Sequence, residues 1–297
     1  MENEFEETMM IHVQDDDGDE MNEKTSKEPS SPEDPNKNKK KKPKKKKKLT
    51  KAGRRVFQVI LVVAIIVAAY SGWRIYSGLR QYDEGDATYD ELAKTMVVTD
   101  SSEGIDNYAT KLAELEKLRD QNEDFVAWLK LDNTLINYPV VRGDDNVFYL
   151  RHLFTKEYNF MGCVFIDYRN AADFSDANTA FYSHHMYNGS MFCDLVKYKD
   201  QEFYDTHKEW HLDTFSGPFK IEPYAAIYTT GDADIIQFNF ENDEDFMNYI
   251  HKFDQESTFK SDVTVKPGDQ LVTMVTCDNY VNNGRFAMIS KLSKIEE

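Results

Sequence analysis

From Phe125 onward the apolar residues fall into short runs rich in β-branched and aromatic side chains: FVAWL, LINYPVV, GCVFID, NTAFYS, FKIEPYAAIYTT, DIIQFNF, DQLVTMVTC and RFAMISKL. Each run is bounded by Gly, Asn, Asp or Pro, the residues that end strands. Eight such runs with no regular helix between them predict a mainly β fold, an eight-stranded antiparallel barrel instead of a parallel sheet. One stretch breaks the pattern. Residues 241–253 (ENDEDFMNYIHKF) start acidic and set Phe246, Tyr249, Ile250 and Phe253 on one face, which predicts an amphipathic helix inserted late in the barrel. Upstream, residues 107–120 space Leu112, Leu115 and Leu118 as a helix does, so a helix is expected to pack on the domain. Residues 77–106 are polar and predict a stalk with some helix.

The N-terminal third changes the picture through its charge. Residues 1–36 carry a net charge of −11, residues 37–55 carry +13, residues 56–73 carry none, and the remainder carries −19. The uncharged stretch, rich in Val, Ile and Ala, would rise roughly 27 Å as a helix, enough to cross a bilayer. The cations directly before it place that end in the cytoplasm by the positive-inside rule, and the acidic C-terminal section outside. With 55 residues ahead of the apolar run, an uncleaved anchor fits better than a secretory signal, which totals about 15 to 30 residues. The expected organisation is a disordered cytoplasmic tail over 1–55, acidic then Lys-rich, a transmembrane anchor over 56–73, a stalk over 74–106 and an extracellular catalytic domain over 107–297. Beside a membrane span the lysines serve orientation and anionic headgroups, so nucleic acid is not an expected partner. The DDDGDE segment lacks the alternating ligand spacing of a calcium loop.

Three cysteines cannot all pair within one extracellular domain, and the odd one suggests a reactive thiol. Cys163 opens an apolar run and Cys193 falls in a helical pattern, so both read as small buried hydrophobes, although a disulfide between them stays open. Cys277 is different. It ends the run LVTMVTC, and Arg285 begins the next run eight residues later. If those two strands pair antiparallel, DNYVNNG is the hairpin loop and returns Arg285 close to Cys277, with Asn282, Asn283 and Gly284 suiting the turn. A thiolate nucleophile, a fixed cation for an oxyanion and a histidine as proton carrier make a cysteine acyl-transfer site. The histidine is His184 or His185, at the end of NTAFYS. Adjacent residues of an extended chain point opposite ways, so only one of them can face the thiol. His12, His152, His207, His211 and His251 lie in segments with no cysteine or arginine signature. Arg142, Arg151 and Arg169 could also supply a cation, but only Arg285 is on the strand after the nucleophile.

The segments NTLINYPVVRGDDNVFYLRHLF, FIDYRN, FYSHHMYNGSMFCDLVKYKD and LVTMVTCDNYVNNGRFAMISKL, in this order, resemble those of class B sortases, the membrane-anchored cysteine transpeptidases of Gram-positive bacteria. The resemblance covers roughly residues 122–294. It implies the sortase β-barrel with the late helix, and assigns Cys277 as nucleophile, His184 as general acid/base and Arg285 as stabiliser of the substrate carbonyl and oxyanion. The family pattern of tyrosine, glycine, histidine aligns with Tyr182, Ser183 and His184, with Ser183 standing where the family has glycine. The implied reaction cleaves a C-terminal sorting motif of secreted proteins through a thioester and passes the acyl group to an amine of peptidoglycan, or of a pilin lysine in a polymerising sortase. No metal or organic cofactor is implied. A papain-like protease has its nucleophile before its histidine, the reverse of the order here. An L,D-transpeptidase carries an arginine close behind its cysteine, which DNYVNNGRF lacks. A non-catalytic surface binding barrel is the alternative from another class.

Overall fold

The computed structural model describes residues 50–96, 106–231, 235–278 and 283–295. Helix α1 runs from Lys51 to Thr95. Of a first compact unit, residues 1–58, the described part is residues 50–58, where Gly53 N donates to Thr50 Oγ1 (3.2 Å) at the helix start. The second unit, residues 59–297, contains the rest of α1 and the barrel. The apolar part of α1 is long and apolar enough to cross a membrane, and none of it is buried within the protein.

Eight strands close the barrel in the order β1 (Phe125–Lys130), β2 (Asn137–Val141), β3 (Val164–Ile166), β4 (Asn178–Tyr182), β7 (Gln270–Asp278), β8 (Gly284–Lys294), β6 (Gly217–Thr230) and β5 (Trp210–Thr214). Two of the eight ladders, β2 with β3 and β4 with β7, are parallel, which corrects the expectation of an antiparallel barrel throughout. Apolar runs mark strands but carry no record of their neighbours, and both parallel pairs are joined by long excursions that allow the crossover. Two individual assignments also change. The run DIIQFNF is irregular over 235–240, where Asn178 Nδ2 donates to Gln237 O (2.9 Å) and Tyr249 OH to Ile235 O (3.1 Å) in place of a ladder. The eighth strand is WHLDT, β5, whose His211 and Asp213 hide the pattern. Lys111 satisfies Asp213 at 2.8 Å.

Pleating sorts the side chains into two cores. Val272, Met274, Phe286 and Met288 face the barrel interior with Trp128, Phe181 and Trp210. Leu271, Val275, Ala287 and Ile289 face outward and are covered by Phe246, Tyr249, Ile250 and Phe253 of α4 (Asp243–Glu256), the helix expected late in the barrel. Its start is set by Asn242, whose side chain accepts from Asp245 N (3.0 Å), and by three carboxylates in the first turn that suit the positive end of the helix. Helix α2 (Asp106–Gln121) buries Leu115 and Leu118 as its spacing predicts.

Where a polar stalk with some helix is expected, α1 continues to Thr95 and packs on the barrel. Tyr82, Gly85, Tyr89, Leu92 and Met96 recur on one face, a stripe too sparse to stand out among the surrounding Asp, Glu and Lys. Gly85 lies against Met161, where an added Cβ would come within 2.7 Å of its sulfur. Gln81 O accepts from Asn159 Nδ2 (2.8 Å), and Tyr89 OH donates to Gly162 O. Gly162 itself has φ +64° and would place a Cβ 2.5 Å from Tyr149 O. Replacing it by alanine adds backbone strain and a clash with a main-chain oxygen that cannot yield. Gly162→Ala is expected to destabilise the chain by about 1–3 kcal/mol or more, seen as a lower midpoint in thermal unfolding.

Candidate active site

The β7–β8 ladder puts Cys277 and Arg285 directly opposite each other, so both side chains leave the sheet on the same side. That side is the outer one. Cys277 continues the alternation Leu271, Thr273, Val275, whose members meet α4, and Tyr249 OH lies 3.1 Å from Thr273 Oγ1. The thiol is therefore partly exposed, not sealed in the barrel. Asn283 closes the hairpin in the left-handed region (φ 55°), which asparagine tolerates, while 279–282, with Asn282, lie outside the described residues. On the other flank Arg285 pairs with Thr229 of β6. β6 then reaches Gly231, whose N–H donates to Asn283 O (2.9 Å) and whose missing side chain leaves room for the guanidinium: a Cβ there would lie 3.1 Å from Arg285 Nη2. Arg285 Nη1 donates to Gly284 O (2.8 Å), which fixes the fork against its own strand.

The histidine arrives from β4. Parallel to β7, β4 is in register from Asn178 with Leu271 to Tyr182 with Val275, and His184 follows two residues past the last pair on β4 as Cys277 does on β7. The chain keeps to that course past the end of the strand. Ser183 N bonds Val275 O (3.4 Å), and Thr276 Oγ1 donates to Ser183 O (2.9 Å). Ser183 needs no left-handed backbone, so a serine serves where the family pattern has glycine. Phe192 N then bonds His184 O (2.9 Å) and turns the chain away.

His184 Nε2 lies 2.7 Å from Leu150 O. A carbonyl can only accept, so Nε2 carries the proton and Nδ1 holds the lone pair in the neutral ring. Burial lowers the pKa of His184 below its ordinary 6.5; the Leu150 carbonyl opposes this, and the charges of Arg151 and Arg285 add to the lowering. His185 Nδ1 lies 3.2 Å from Cys277 O, a contact to the Cys277 backbone that the sequence did not signal.

The remaining candidates have other occupations. Burial pushes the Cys163 thiol up to about 12 and also raises Cys193; neither is in a disulfide. His152 stacks on Phe148, His207 bonds Phe203 O, His211 faces Asp132, and His251 is exposed on α4; His12 lies outside the described residues. Arg142 donates to Tyr168 O and Arg169 to Asp167. A cavity of about 240 Å³ opens under α4, lined by Ile227, Ile235, Ile236, Gln237, Tyr249, Lys252 and Phe253. Ile227 of its lining is two residues before Thr229, the β6 partner of Arg285.

No family model matches the chain. Individual proteins do: a sortase B of Listeria monocytogenes is 34% identical over 235 residues, covering 78% of this chain and 95% of that protein. The chain belongs to the sortase B family. Sortase B of Staphylococcus aureus is 31% identical over 242 residues, with 81% of this chain and 96% of that one covered. Among solved structures, the Staphylococcus aureus sortase B–substrate complex superposes with a TM-score of 0.65 at 29% identity, over 73% of this chain and all of that one. A Bacillus anthracis protein described as similar to sortase B gives 0.64 at 32%, over 72% and 98%. This sortase is thus a cysteine transpeptidase built on the eight-stranded barrel.

Because the folded pKa of His184 is depressed, the unfolded chain binds that proton more readily. Its share of the stability of this sortase is present above the ordinary value near 6.5 and is lost as pH falls toward the lowered one. Thermal unfolding midpoints of the wild type should decline below pH ~6.5 more steeply than those of His184→Gln, in which this titration is absent.

Proposed function

We propose that this sortase cleaves a C-terminal sorting motif of secreted proteins at a Thr–Gly-like bond and transfers the new acyl end to an amine of peptidoglycan. The reading is supported most by one observation, the placement of Cys277 opposite Arg285 on one hairpin with the His184 register alongside. Cys277 sulfur attacks the threonine carbonyl carbon as its proton passes to His184. Arg285 faces the developing oxyanion, a charge that a fixed donor binds more tightly than it binds the planar carbonyl. Collapse breaks the C–N bond, His184 returns the proton to the departing amine, and a thioester remains. The incoming amine attacks that thioester, His184 takes its proton, and the thiolate leaves. The lowered pKa of His184 suits this last step, since it keeps the imidazole neutral and ready as a base at neutral pH.

Relatives support the two substrates. One Staphylococcus aureus sortase B structure is a substrate complex, and another sortase B is complexed with triglycine, an amine. The cavity under α4 would take an apolar side chain of the motif, with its carbonyl delivered to Arg285. In the same reading residues 56–73 anchor the chain in the cell membrane, residues 1–55 are cytoplasmic, and the catalytic domain over 107–297 works outside, where substrate and lipid-linked acceptor share one surface.

Intact-mass analysis after mixing the chain with a panel of Thr–Gly-containing sorting peptides should show an acyl adduct on Cys277, discharged by triglycine. Cys277→Ala should give none, and an adduct-free wild type across the panel would sink the reading. Arg285→Ala should retain the adduct-forming thiol but lose about 10²- to 10³-fold in kcat/KM.

A further inference from the structure

The FIDYRN segment has no part in the chemistry above, yet its side chains form a connected chain that ends on the groove. Asp167 is fully buried, and its carboxylate accepts from five donors. Arg169 grips it with Nε on Oδ1 and Nη2 on Oδ2, both at 2.8 Å, and adds its backbone N at 3.0 Å. Asn146 Nδ2 (2.8 Å) and Tyr182 OH (3.0 Å) complete the set. Burial alone would push this carboxyl up, but the hydrogen bonds from Arg169, Asn146 and Tyr182 outweigh it and hold Asp167 below the usual range. The guanidinium is thereby fixed in one orientation. Its Cζ lies 4.4 Å from the centre of the Phe238 ring, a cation–π contact.

Phe238 belongs to the irregular stretch 235–240, which has no strand ladder to hold it. Ile235 and Ile236 of that stretch line the cavity under α4, and Gly231, a few residues upstream, abuts the Arg285 guanidinium. At the opposite end of the chain of contacts, Tyr182 is two residues before His184 on β4. The stretch is held by side-chain contacts: Asn178 on Gln237 O, Tyr249 on Ile235 O, Gln237 on Asp245, the Phe240 ring against Phe246 and Tyr249, and Arg169 on Phe238. Most of these come from β4 or α4. Arg169 grips the Phe238 ring itself, and it comes from the β3–β4 connection.

We infer that Arg169 is a positioning residue of the transpeptidation site, clamping Phe238 so that residues 235–240 form a standing wall of the groove that receives the sorting motif. The inference rests on the transpeptidase reading for what the groove holds. The clamp acts before chemistry, so its loss weakens peptide binding and leaves the acyl-transfer trio intact. Loss of one half-exposed cation–π contact corresponds to an increase in KM of about two- to thirty-fold, with kcat nearly unchanged.

The test uses the full chain as wild type, Phe238→Leu, Phe238→Tyr, Arg169→Gln and the Phe238→Leu/Arg169→Gln double variant. Phe238→Leu leaves the Arg169–Asp167 pair in place, so it remains informative if Arg169→Gln unfolds. Cleavage of fluorogenic Thr–Gly peptides should show the KM increase in Phe238→Leu and in Arg169→Gln, no further increase in the double variant, and recovery in Phe238→Tyr. Hydrogen exchange over 235–240 should accelerate in the same variants. Independent, multiplicative effects in the double variant, a loss confined to kcat, or unchanged exchange in Phe238→Leu would overturn the clamp. A wild type that cleaves no peptide, with exchange still responding to Phe238→Leu, would count against the substrate reading and support the clamp.

Discussion

Everything at the site depends on the hydrogen-bonded position of β7 between a parallel neighbour and an antiparallel one. β4 and β8 flank it, and the two registers are independent: one fixes Tyr182 against Val275, the other Cys277 against Arg285. Because side chains alternate along a strand, a slip of one residue in either ladder would send a partner to the barrel interior. The outer apolar core guards against that slip. Leu271, Val275, Ala287 and Ile289 bury under α4 only in the observed register, so the helix that covers the sheet also holds the thiol on the outside. Packing and catalysis are two uses of one alternation.

Electrostatics at the site follow from where the backbone ends, more than from local concentration of charge. Leu150 O accepts a hydrogen bond from Nε2 of His184, which decides the tautomer, and burial, aided by the charges of Arg151 and Arg285, discourages a second proton on the ring. The domain carries many carboxylates, yet the acidic group fully buried in this region, Asp167, is paired with Arg169. An acidic surface also favours approach of cationic amines, a long-range effect that falls with salt.

Much of this was legible in the sequence. The interval from Cys277 to Arg285 with turn residues between them predicts a hairpin, and the hairpin is there, with Asp278 paired to Gly284 at its mouth. The period of Phe246, Tyr249, Ile250 and Phe253 predicts α4 in the same way, since both signals are local. What escaped was non-local. No pattern within β4 or β7 announces that they run parallel, and β5 was masked by His211 and Asp213, polar residues held by partners distant in the chain. The opposite error occurred at 235–240, where strand-like composition meets donors from Asn178 and Tyr249 before it can meet a strand. The preference for His184 over His185 rests on the resemblance, because alternation says only that the two differ.

Helix α1 passes without interruption from its apolar stretch into the face that Tyr82, Gly85, Tyr89 and Leu92 press on the barrel. With residues 56–73 in a bilayer, the link from Trp73 to Tyr89 is a rod of roughly 24 Å, not a flexible leash. In the proposed anchored arrangement such a rod would hold the barrel at a set height above the bilayer. Its reach would then come from lateral diffusion of the whole molecule, and a substrate would have to present itself at that altitude.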